Sequence, residues 1–275
     1  MIGGAHGIAS DLRGAADAVL ARGGELGRPI HWVERTTSTN DLARQAARAG
    51  APHGSAWVAE EQSDGRGRQG RAWIAPRGES LLFSVLLRID CDPRSLPPIS
   101  VAAGLAVTEA VALHVVEPRP ALKWPNDVLI GDRKVAGVLV EATATGPGSH
   151  DVVVGIGINV HTRVFPAELA ARATSIANHV SRAPVRAELL ADVLERLDRD
   201  LAIVVGRGLG PLASRLAACD GLGGKPVRCA EGLEGIAEGI DERGRLLVRG
   251  PDGALARWSS GEVHIVRRSA PSPCF

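Results

Sequence analysis

A glycine- and arginine-rich segment at positions 65–71, with the sequence GRGRQGR, carries the strongest chemical signal in the chain. Its spacing satisfies G-x-G-x-x-G, but a dinucleotide-binding loop follows a strand directly and opens a helix. Here polar residues precede the segment and Trp73-Ile74-Ala75-Pro76 follows it, which does not start a helix. Three guanidinium groups on a glycine-permitted turn predict a phosphate-binding loop instead. A solvated, flexible basic loop is the alternative.

A second segment, Lys123-Trp124-Pro125-Asn126-Asp127, sets an amide and a carboxylate at a rigid turn after a tryptophan. Such a pair suits contacts to a ribose, an amide or Mg²⁺, although an ordinary Asn-Asp turn is equally compatible with the pattern. The chain has no Walker A motif, because Gly224-Lys225 is followed by Pro226 rather than by Ser or Thr. Any use of ATP must therefore be of another type.

Lys134 begins an apolar strand in which Gly137 allows a close approach to the backbone. Only three of the 32 basic residues are lysines, so a lysine here is a chemically selected residue. A partly desolvated Lys134 could neutralise two oxyanions, whereas a gatekeeper at a strand edge is the alternative. The later segment 155–160, GIGINV, predicts a strand packed closely against a planar ligand, or alternatively a β-bulge.

Hydrophobic periodicity predicts alternating strands and helices that position these segments. The predicted strands are 31–34, 56–60, 80–89, 121–124, 127–130, 134–142 and 151–159, of which the last four belong to one sheet. The predicted helices are one capped by Ser10 and ended by Gly23, one capped by Thr39 or Asn40 and ended near Gly50, and those over 99–116, 184–205 and 212–219.

The character of the chain changes near Gly223. Beyond it, short β-prone runs alternate with turns at 241–244 and 251–253, which is typical of a small all-β barrel. We therefore expect an N-terminal extension with a short helix over 1–30, a catalytic domain over 31–222 and a small β-barrel domain over 223–270.

The composition excludes several classes of protein. With 45% hydrophobic and 23% charged residues among 275, the chain is neither disordered nor collagen-like. Its net charge of +1 provides no general attraction for nucleic acid or an anionic membrane. The apolar segment 99–116 contains Thr108, Glu109 and His114, so we expect a buried helix there rather than a membrane span. No secretory signal is evident, and four cysteines without CxxC spacing indicate a reducing cytoplasm without a zinc site.

Five motifs in this order resemble those of the biotin protein ligases over roughly Trp32 to Arg268. They are Ser38-Thr39-Asn40, Gln62 with 65–71, 123–127, 134–137 and 155–159. Each motif is weak alone, but the ordered set is specific. The resemblance implies an α+β fold: a mixed β-sheet catalytic domain flanked by helices, similar to class II synthetases, followed by a small SH3-like β-barrel.

The activity implied by the resemblance has two steps and uses ATP, biotin and Mg²⁺. The carboxylate of biotin attacks the α-phosphate of ATP, which gives biotinyl-5′-AMP and pyrophosphate. A lysine on the biotin carboxyl carrier domain of an acyl-CoA carboxylase then accepts the biotin. Repulsion between the two anions is the first barrier, and fixed cations lower it most where water is excluded.

Site residues follow from the same resemblance. Biotin binding is expected of Ser38, Thr39, Asn40, Gln62, Arg66, Gly67, Arg68, Lys134 and Gly137. Binding of ATP or the adenylate is expected of Arg68, Arg71, Trp73, Asn126, Asp127, Lys134 and Asn159. Lys134 and Arg68 are the predicted catalytic residues, and no metal ligands are assigned.

Two other functions stay open. A lipoate or octanoate ligase or transferase shares the general fold, but the Ser-Thr-Asn-Gln set favours a ureido ligand over a plain acyl chain. A biotin-sensing regulator would need a DNA-binding module. About 30 residues precede Trp32, too few for a winged helix-turn-helix of roughly 60 residues, so we expect no DNA and no membrane partner.

Overall fold

The computed structural model describes residues 10–12, 14–90, 96–230 and 232–266, so Cys91, Cys274 and both ends of the predicted domain ranges lie outside the described residues. The strands are β1 (Ile30–Thr36), β2 (Ala56–Gln62), β3 (Ser80–Asp90), β4 (Pro120–Lys123), β5 (Asp127–Ile130), β6 (Arg133–Gly146), β7 (Ser149–Asn159), β8 (Pro226–Cys229), β9 (Glu234–Ile240), β10 (Leu246–Arg249), β11 (Leu255–Trp258) and β12 (Val263–Ile265). The α-helices are α1 (Ala15–Arg22), α2 (Thr39–Arg48), α3 (Leu96–Ala112), α4 (Ala167–Ala170), α5 (Arg186–Arg207) and α6 (Ala213–Ala218).

Seven strands form the main sheet in the order β1-β2-β3-β7-β6-β5-β4. β1 and β2 are parallel, and the other neighbours are antiparallel. The prediction of a mixed sheet flanked by helices is therefore confirmed, as is the placement of β4 to β7 in one sheet. The motifs singled out in the sequence lie on these strands, on the loops that join them and, for Thr39 and Asn40, in the first turn of α2.

Helices cover the two faces of the main sheet unequally. α3 is apolar on every side and packs against α5, which in turn carries α1. α2 packs on the opposite face, where Ala43 and Ala47 meet Trp57, Leu86 and Val153. The sequence neighbours of those three strand residues point into the large core on the α3 side, as the period-two alternation of a strand requires.

The second sheet is antiparallel, with five strands in the order β11-β10-β9-β8-β12. The expected small β-domain beyond Gly223 is therefore present as an antiparallel sheet. Within the described part of the chain its pairing does not join β11 to β12, so closure into a barrel stays a prediction. Trp124, fully buried at the end of β4, donates from Nε1 to the carbonyl of Gly244, 2.7 Å away in the turn before β10. This bond joins the two sheets close to the 123–127 motif.

Several helix boundaries differ from the predicted ones. The first helix begins at Ala15, because Gly14 has a φ of 79° and this left-handed conformation cannot continue a helix. Ser10 therefore belongs to a separate 3-10 turn. The residue before α2 is Ser38 rather than Thr39 or Asn40. α3 starts three residues before the predicted Ile99, because Pro97 and Pro98 are tolerated in a first turn whose N–H groups have no partner within the helix. Among the described residues no helix has the length and apolarity needed to cross a membrane.

A buried arginine joins α5 to the main sheet. Arg186 is 1% exposed, and its guanidinium donates to Asp11 at 2.7 Å and to Glu60 at 3.0 Å. Burial alone would lower the pKa of Arg186, but the hydrogen bonds that it donates to these carboxylates outweigh burial and raise that pKa. A charge this deeply buried is stable only while it is paired.

Replacing the buried guanidinium tests this junction. Arg186→Met should lower the free energy of unfolding by about 3–5 kcal/mol, because it leaves buried Glu60 without its arginine. Urea denaturation measures the change. Arg228→Met, at an exposed ion pair with Glu234, is the control and should change the stability by less than about 0.5 kcal/mol. Equal stability of the two variants would contradict the assignment.

Candidate functional site

The floor of the site is the half of the main sheet that α2 leaves uncovered. Across the strands, Gly137 pairs with Gly157 and Gly157 with Leu82, while the next row pairs Gly155 with Ser84. Three glycines and a serine thus occupy positions where larger side chains would fill the space beneath the adjoining loop. The result is a concavity with a backbone floor.

A polar wall rises where β1 runs into α2. Ser38, Thr39 and Asn40 are each less than 5% exposed. The amide N–H and the hydroxyl of Thr39 donate to Gln62 Oε1 at 2.7 and 3.1 Å. The Thr39 side chain is thereby held against β2, and three predicted biotin-binding positions stand side by side with Gln62.

Asn40 is held from both ends of its amide. Its Oδ1 accepts from Ser84 Oγ at 2.6 Å, and its Nδ2 donates to Glu141 Oε2 at 2.7 Å. A Cβ atom added at Gly155 would lie 2.0 Å from Asn40 Oδ1. The glycine is therefore a steric requirement for the position of Asn40.

The Gly/Arg loop (residues 65–71) lies over the cavity as a tight turn. The N–H of Gly67 donates to the carbonyl of Arg71, and the N–H of Trp73 to that of Gly65, both at 2.7 Å. The residues that follow do not form a helix, which agrees with the rejection of the dinucleotide fingerprint.

Each arginine of the loop has a different partner. Arg66 donates to Asp41 at 2.5 Å and Arg71 pairs with Glu262 of the second sheet. Arg68 instead donates to a neutral acceptor, Asn126 Oδ1, at 3.2 Å. Burial lowers the pKa of Arg68, and no carboxylate of the described residues lies within salt-bridge distance of it. Arg68 is thus the loop cation best placed to receive an anion.

Trp73 packs its indole on the glycine floor. A Cβ at Gly157 would come within 2.7 Å of the ring, and one at Gly137 within 3.3 Å. The planar group that these glycines meet is therefore a side chain of the protein itself. β7 pairs regularly through positions 151–158 with both neighbours, so the β-bulge alternative is wrong. Trp73 Nε1 is buried against the floor at Gly157 and has no hydrogen-bond partner among the described residues.

Lys134 lies inside the sheet rather than at its edge. It pairs with β5 on one side and, through bonds of 2.8 Å, with Arg172 and Thr174 on the other, so the gatekeeper alternative is wrong. Its Nζ is 2.6 Å from Asp127 Oδ1 and 5.4 Å from the centroid of the Trp73 ring. The ammonium is about one-third exposed and faces the cavity.

These elements together line one cavity, which is open to solvent on one side. The predicted residues that line it are Ser38, Thr39, Asn40, Gln62, Arg66, Gly67, Arg68, Trp73, Asn126, Lys134 and Gly137. Three predicted residues do not line it. Arg71 faces the second sheet, Asp127 lies behind Lys134, and Asn159 is buried with its Nδ2 donating to the carbonyl of Thr174 at 3.0 Å.

Sequence reasoning assigned no role to four polar residues around the cavity: Ser84, Asp41, Glu141 and Lys123, although Lys123 begins the 123–127 motif. Ser84 was detectable as a polar residue within the apolar run of β3. Burial lowers the pKa of Lys123, a half-buried lysine that interacts electrostatically with Asp127, Glu262, Lys134 and Arg71. The four cations at this end of the cavity are Arg68, Arg71, Lys123 and Lys134, and they interact with only two carboxylates, Asp127 and Glu262. This excess of positive charge favours an anion.

Comparison with known proteins identifies the family. The model of the biotin/lipoate A/B protein ligase family matches residues 32–159, and that of the biotin protein ligase C-terminal domain matches residues 222–266. A biotin–[acetyl-CoA-carboxylase] ligase from Paracoccus denitrificans is 36% identical over 80% of this chain and 94% of its own length. The chain belongs to the biotin protein ligase family. A ligase of the same name from Mycobacterium tuberculosis is 35% identical over 86% of this chain and 88% of its own.

Further relatives agree on the fold of this biotin protein ligase. The biotin protein ligase from Aquifex aeolicus, solved in complex with biotin and ATP, superposes with a TM-score of 0.74 at 30% identity. The match covers 88% of this chain and all of that one. The bifunctional ligase/repressor BirA of Escherichia coli is 32% identical over 77% of this chain, and the chain spans about two thirds of its length.

The steric role of the floor can be tested in this ligase. Gly155→Ala should lower the free energy of unfolding by about 1–3 kcal/mol, because the added methyl group meets an amide that is held at both ends. Gly146→Ala is the matched control, since a Cβ there has no neighbour within 4 Å. Chemical denaturation compares the two. If both were equally stable, Asn40 would be free to move and the floor would not constrain it.

Proposed function

We propose that this ligase activates biotin as biotinyl-5′-AMP and transfers it to a lysine on the biotin carboxyl carrier domain of an acyl-CoA carboxylase. One observation carries the proposal: a single cavity joins the neutral wall of Ser38, Thr39, Asn40 and Gln62 to the cations Lys134 and Arg68. A ligand suited to it is neutral and polar at one end and anionic at the other. Biotin has this form, with a ureido ring and a carboxylate.

The neutral end of the cavity suits the ureido ring. Hydroxyl and amide groups both donate and accept hydrogen bonds, which matches a group with two N–H donors and one carbonyl. Between the two ends, the glycine floor leaves room for an aliphatic chain without offering a charge. An octanoyl chain offers no hydrogen-bonding group to the hydroxyl and amide groups of this wall, so the wall favours the ureido ring.

The charged end suits adenylation. A carboxylate oxygen of biotin forms a bond to the α-phosphorus of ATP, and the bond to the bridging oxygen breaks as pyrophosphate leaves with the electron pair. The two reacting groups are both anions, so Lys134 and Arg68 lower the barrier by neutralising them in a water-poor site. No side chain has to ionise, because alignment of the reactants supplies most of the remaining effect.

Side chains near the charged end of the cavity suit the adenine ring and Mg²⁺. Trp73 offers an aromatic face, and we propose that it stacks on adenine. Asp127 and Asn126 provide the hard oxygen atoms that Mg²⁺ prefers, and no group of three metal-binding side chains occurs among the described residues. The ion would therefore be held jointly with the phosphates, where it neutralises their charge. Arg71 and Asn159 do not line the cavity, and we propose that they act on the nucleotide only.

In the second step the carrier lysine attacks as a free amine. Its nitrogen bonds to the acyl carbon of the adenylate, AMP leaves with the electron pair of the acyl–oxygen bond, and the amine proton passes to solvent. Free thiols at Cys219 and Cys229 support the reducing cytoplasm as the compartment in which this occurs.

Mass spectrometry of a carrier domain tests the function directly. The domain is incubated with the purified chain, ATP and Mg²⁺, together with biotin, lipoate or octanoate in separate reactions. We expect modification of one lysine by biotin, and none when ATP is omitted. Modification by lipoate or octanoate but not by biotin would replace the proposal with the acyl-ligase alternative.

Lys134→Ala should reduce biotin-dependent exchange of pyrophosphate into ATP by at least about 100-fold, as expected when a cation that faces developing charge is removed. Lys134→Arg should recover little, because a planar fork does not replace a compact ammonium between two oxyanions. Lys225→Ala, at an exposed lysine, is the control. Exchange by Lys134→Ala at a near wild-type rate would show that the lysine is not catalytic.

Arg68→Gly should separate synthesis of the adenylate from its retention. A charge-assisted hydrogen bond contributes about 1.5–3 kcal/mol, so the dissociation constant of biotinyl-5′-AMP should rise roughly 10- to 150-fold. The escaped intermediate should then label lysines on an unrelated protein. Arg77→Gly, at an exposed arginine, is the control. Wild-type retention by Arg68→Gly would leave the basic loop without a role in holding the adenylate.

A further inference from the structure

Asp41 connects the Gly/Arg loop to helix α2. Its Oδ1 accepts from Arg66 Nη2 at 2.5 Å and also from Arg44, one turn along the helix. Burial alone would raise the pKa of Asp41, but the two guanidinium groups outweigh it and hold that pKa below its usual range. The carboxylate also stands in the first turn of α2, where a negative charge is stabilised by the helix N-terminus. Asp41 is therefore a fixed anion.

Arg66 depends on this single carboxylate. Among the described residues, Asp41 is the only acidic group within 4 Å of Arg66. Arg44 differs, because it also pairs with Glu141 at 3.2 Å. Loss of the Asp41 charge would therefore release Arg66 from α2 while Arg44 keeps a partner.

The other two arginines are weaker attachments. The Arg71 side chain is more than half exposed, so its ion pair with Glu262 contributes little. Under the proposed function, Arg68 leaves Asn126 when it binds the phosphate. Arg66 differs from both, because its guanidinium is paired with a carboxylate of helix α2 and is only about one-third exposed. We propose that Asp41 is a positioning residue that holds the Gly/Arg loop over the cavity through Arg66 and slows escape of the adenylate.

The same attachment reaches the polar wall. Glu141 accepts from Arg44 and, at 2.7 Å, from Asn40 Nδ2, so Asp41 and Glu141 bracket one guanidinium between the loop and the wall. Asn40 directly precedes Asp41 in α2. The ion pairs therefore attach the loop to the helix that carries the polar wall, rather than to a distant part of the fold.

A double-mutant cycle tests the pair: Asp41→Asn, Arg66→Gln and the two combined. Asp64→Asn is the matched control, because Asp64 flanks the loop but does not approach within 4 Å of any of its arginines. The first measurement is the rate of trypsin cleavage after Arg68 and Arg71 without added ligand. The second is the rate at which biotinyl-5′-AMP dissociates from the preloaded enzyme.

We expect Asp41→Asn to raise both rates about 3- to 10-fold, the size of effect expected for a partly buried charge-assisted pair. Asp64→Asn should match the wild type, and adding Asp41→Asn to Arg66→Gln should have no further effect. A fully additive double variant would overturn the proposal, because it would show that Asp41 acts only by stabilising α2. Wild-type rates in Asp41→Asn would overturn it as well.

The adenylate measurement rests on the proposed function, whereas the cleavage measurement does not. If the wild type forms no biotinyl-5′-AMP, the proposed function fails, yet the cleavage rates still decide whether Asp41 holds the loop. Thermal denaturation of every variant is recorded in parallel, and the cycle is evaluated at a temperature where all of them are folded. Accelerated cleavage confined to the loop arginines supports the proposal, whereas acceleration throughout the chain contradicts it.

Discussion

One half of a face of the main sheet is covered by helix α2 and the other half forms the cavity, and this difference depends on three glycines. Ala43 and Ala47 bring α2 down onto one half of the face. On the other half Gly137, Gly155 and Gly157 leave a surface with no side chains to pack a helix against. The Trp73 indole and the Asn40 amide take positions that a single methyl group would block. The positions of the polar wall and of the loop follow from this concavity.

The second constraint is electrostatic. A molecule with a net charge of only +1 concentrates Arg68, Lys123 and Lys134 around two carboxylates at one end of the cavity. Such a cluster is stable because Asp127 and Glu262 compensate part of the charge, while the remaining excess is left for a ligand. Burial lowers the pKa of both Arg68 and Lys123, because it disfavours the charged form of each side chain. A bound polyanion would compensate that positive charge, so the arrangement favours phosphate binding.

The sequence predicts the sheet well because each strand has a strong apolar pattern, and Lys134 stands out because lysines are so scarce. The sequence predicts the cavity less completely, because residues far apart in the chain become neighbours only through the pairing register of the strands. Gly155 and Ser84 lie 71 positions apart but face each other across β3 and β7, and no local pattern shows it. Short strands with regular turns predict the small C-terminal β-domain, but they do not determine how its strands pair, because they fit an open sheet and a closed barrel equally well. Asp41 follows a recognised motif directly, yet its importance depends on a loop arginine 25 positions away.

The loop has two requirements that oppose each other. Its three glycines let the backbone fold tightly over a ligand, but they also increase the entropy lost when the loop is ordered. Arginines offset that loss only where they find anions, and Arg66 finds one on α2, beside the polar wall. If Arg68 carried both tasks, binding the phosphate would remove the bond that holds the loop. Under the proposed function, separate partners for Arg66 and Arg68 would let the loop stay closed while the half-buried Arg68 exchanges Asn126 for the phosphate.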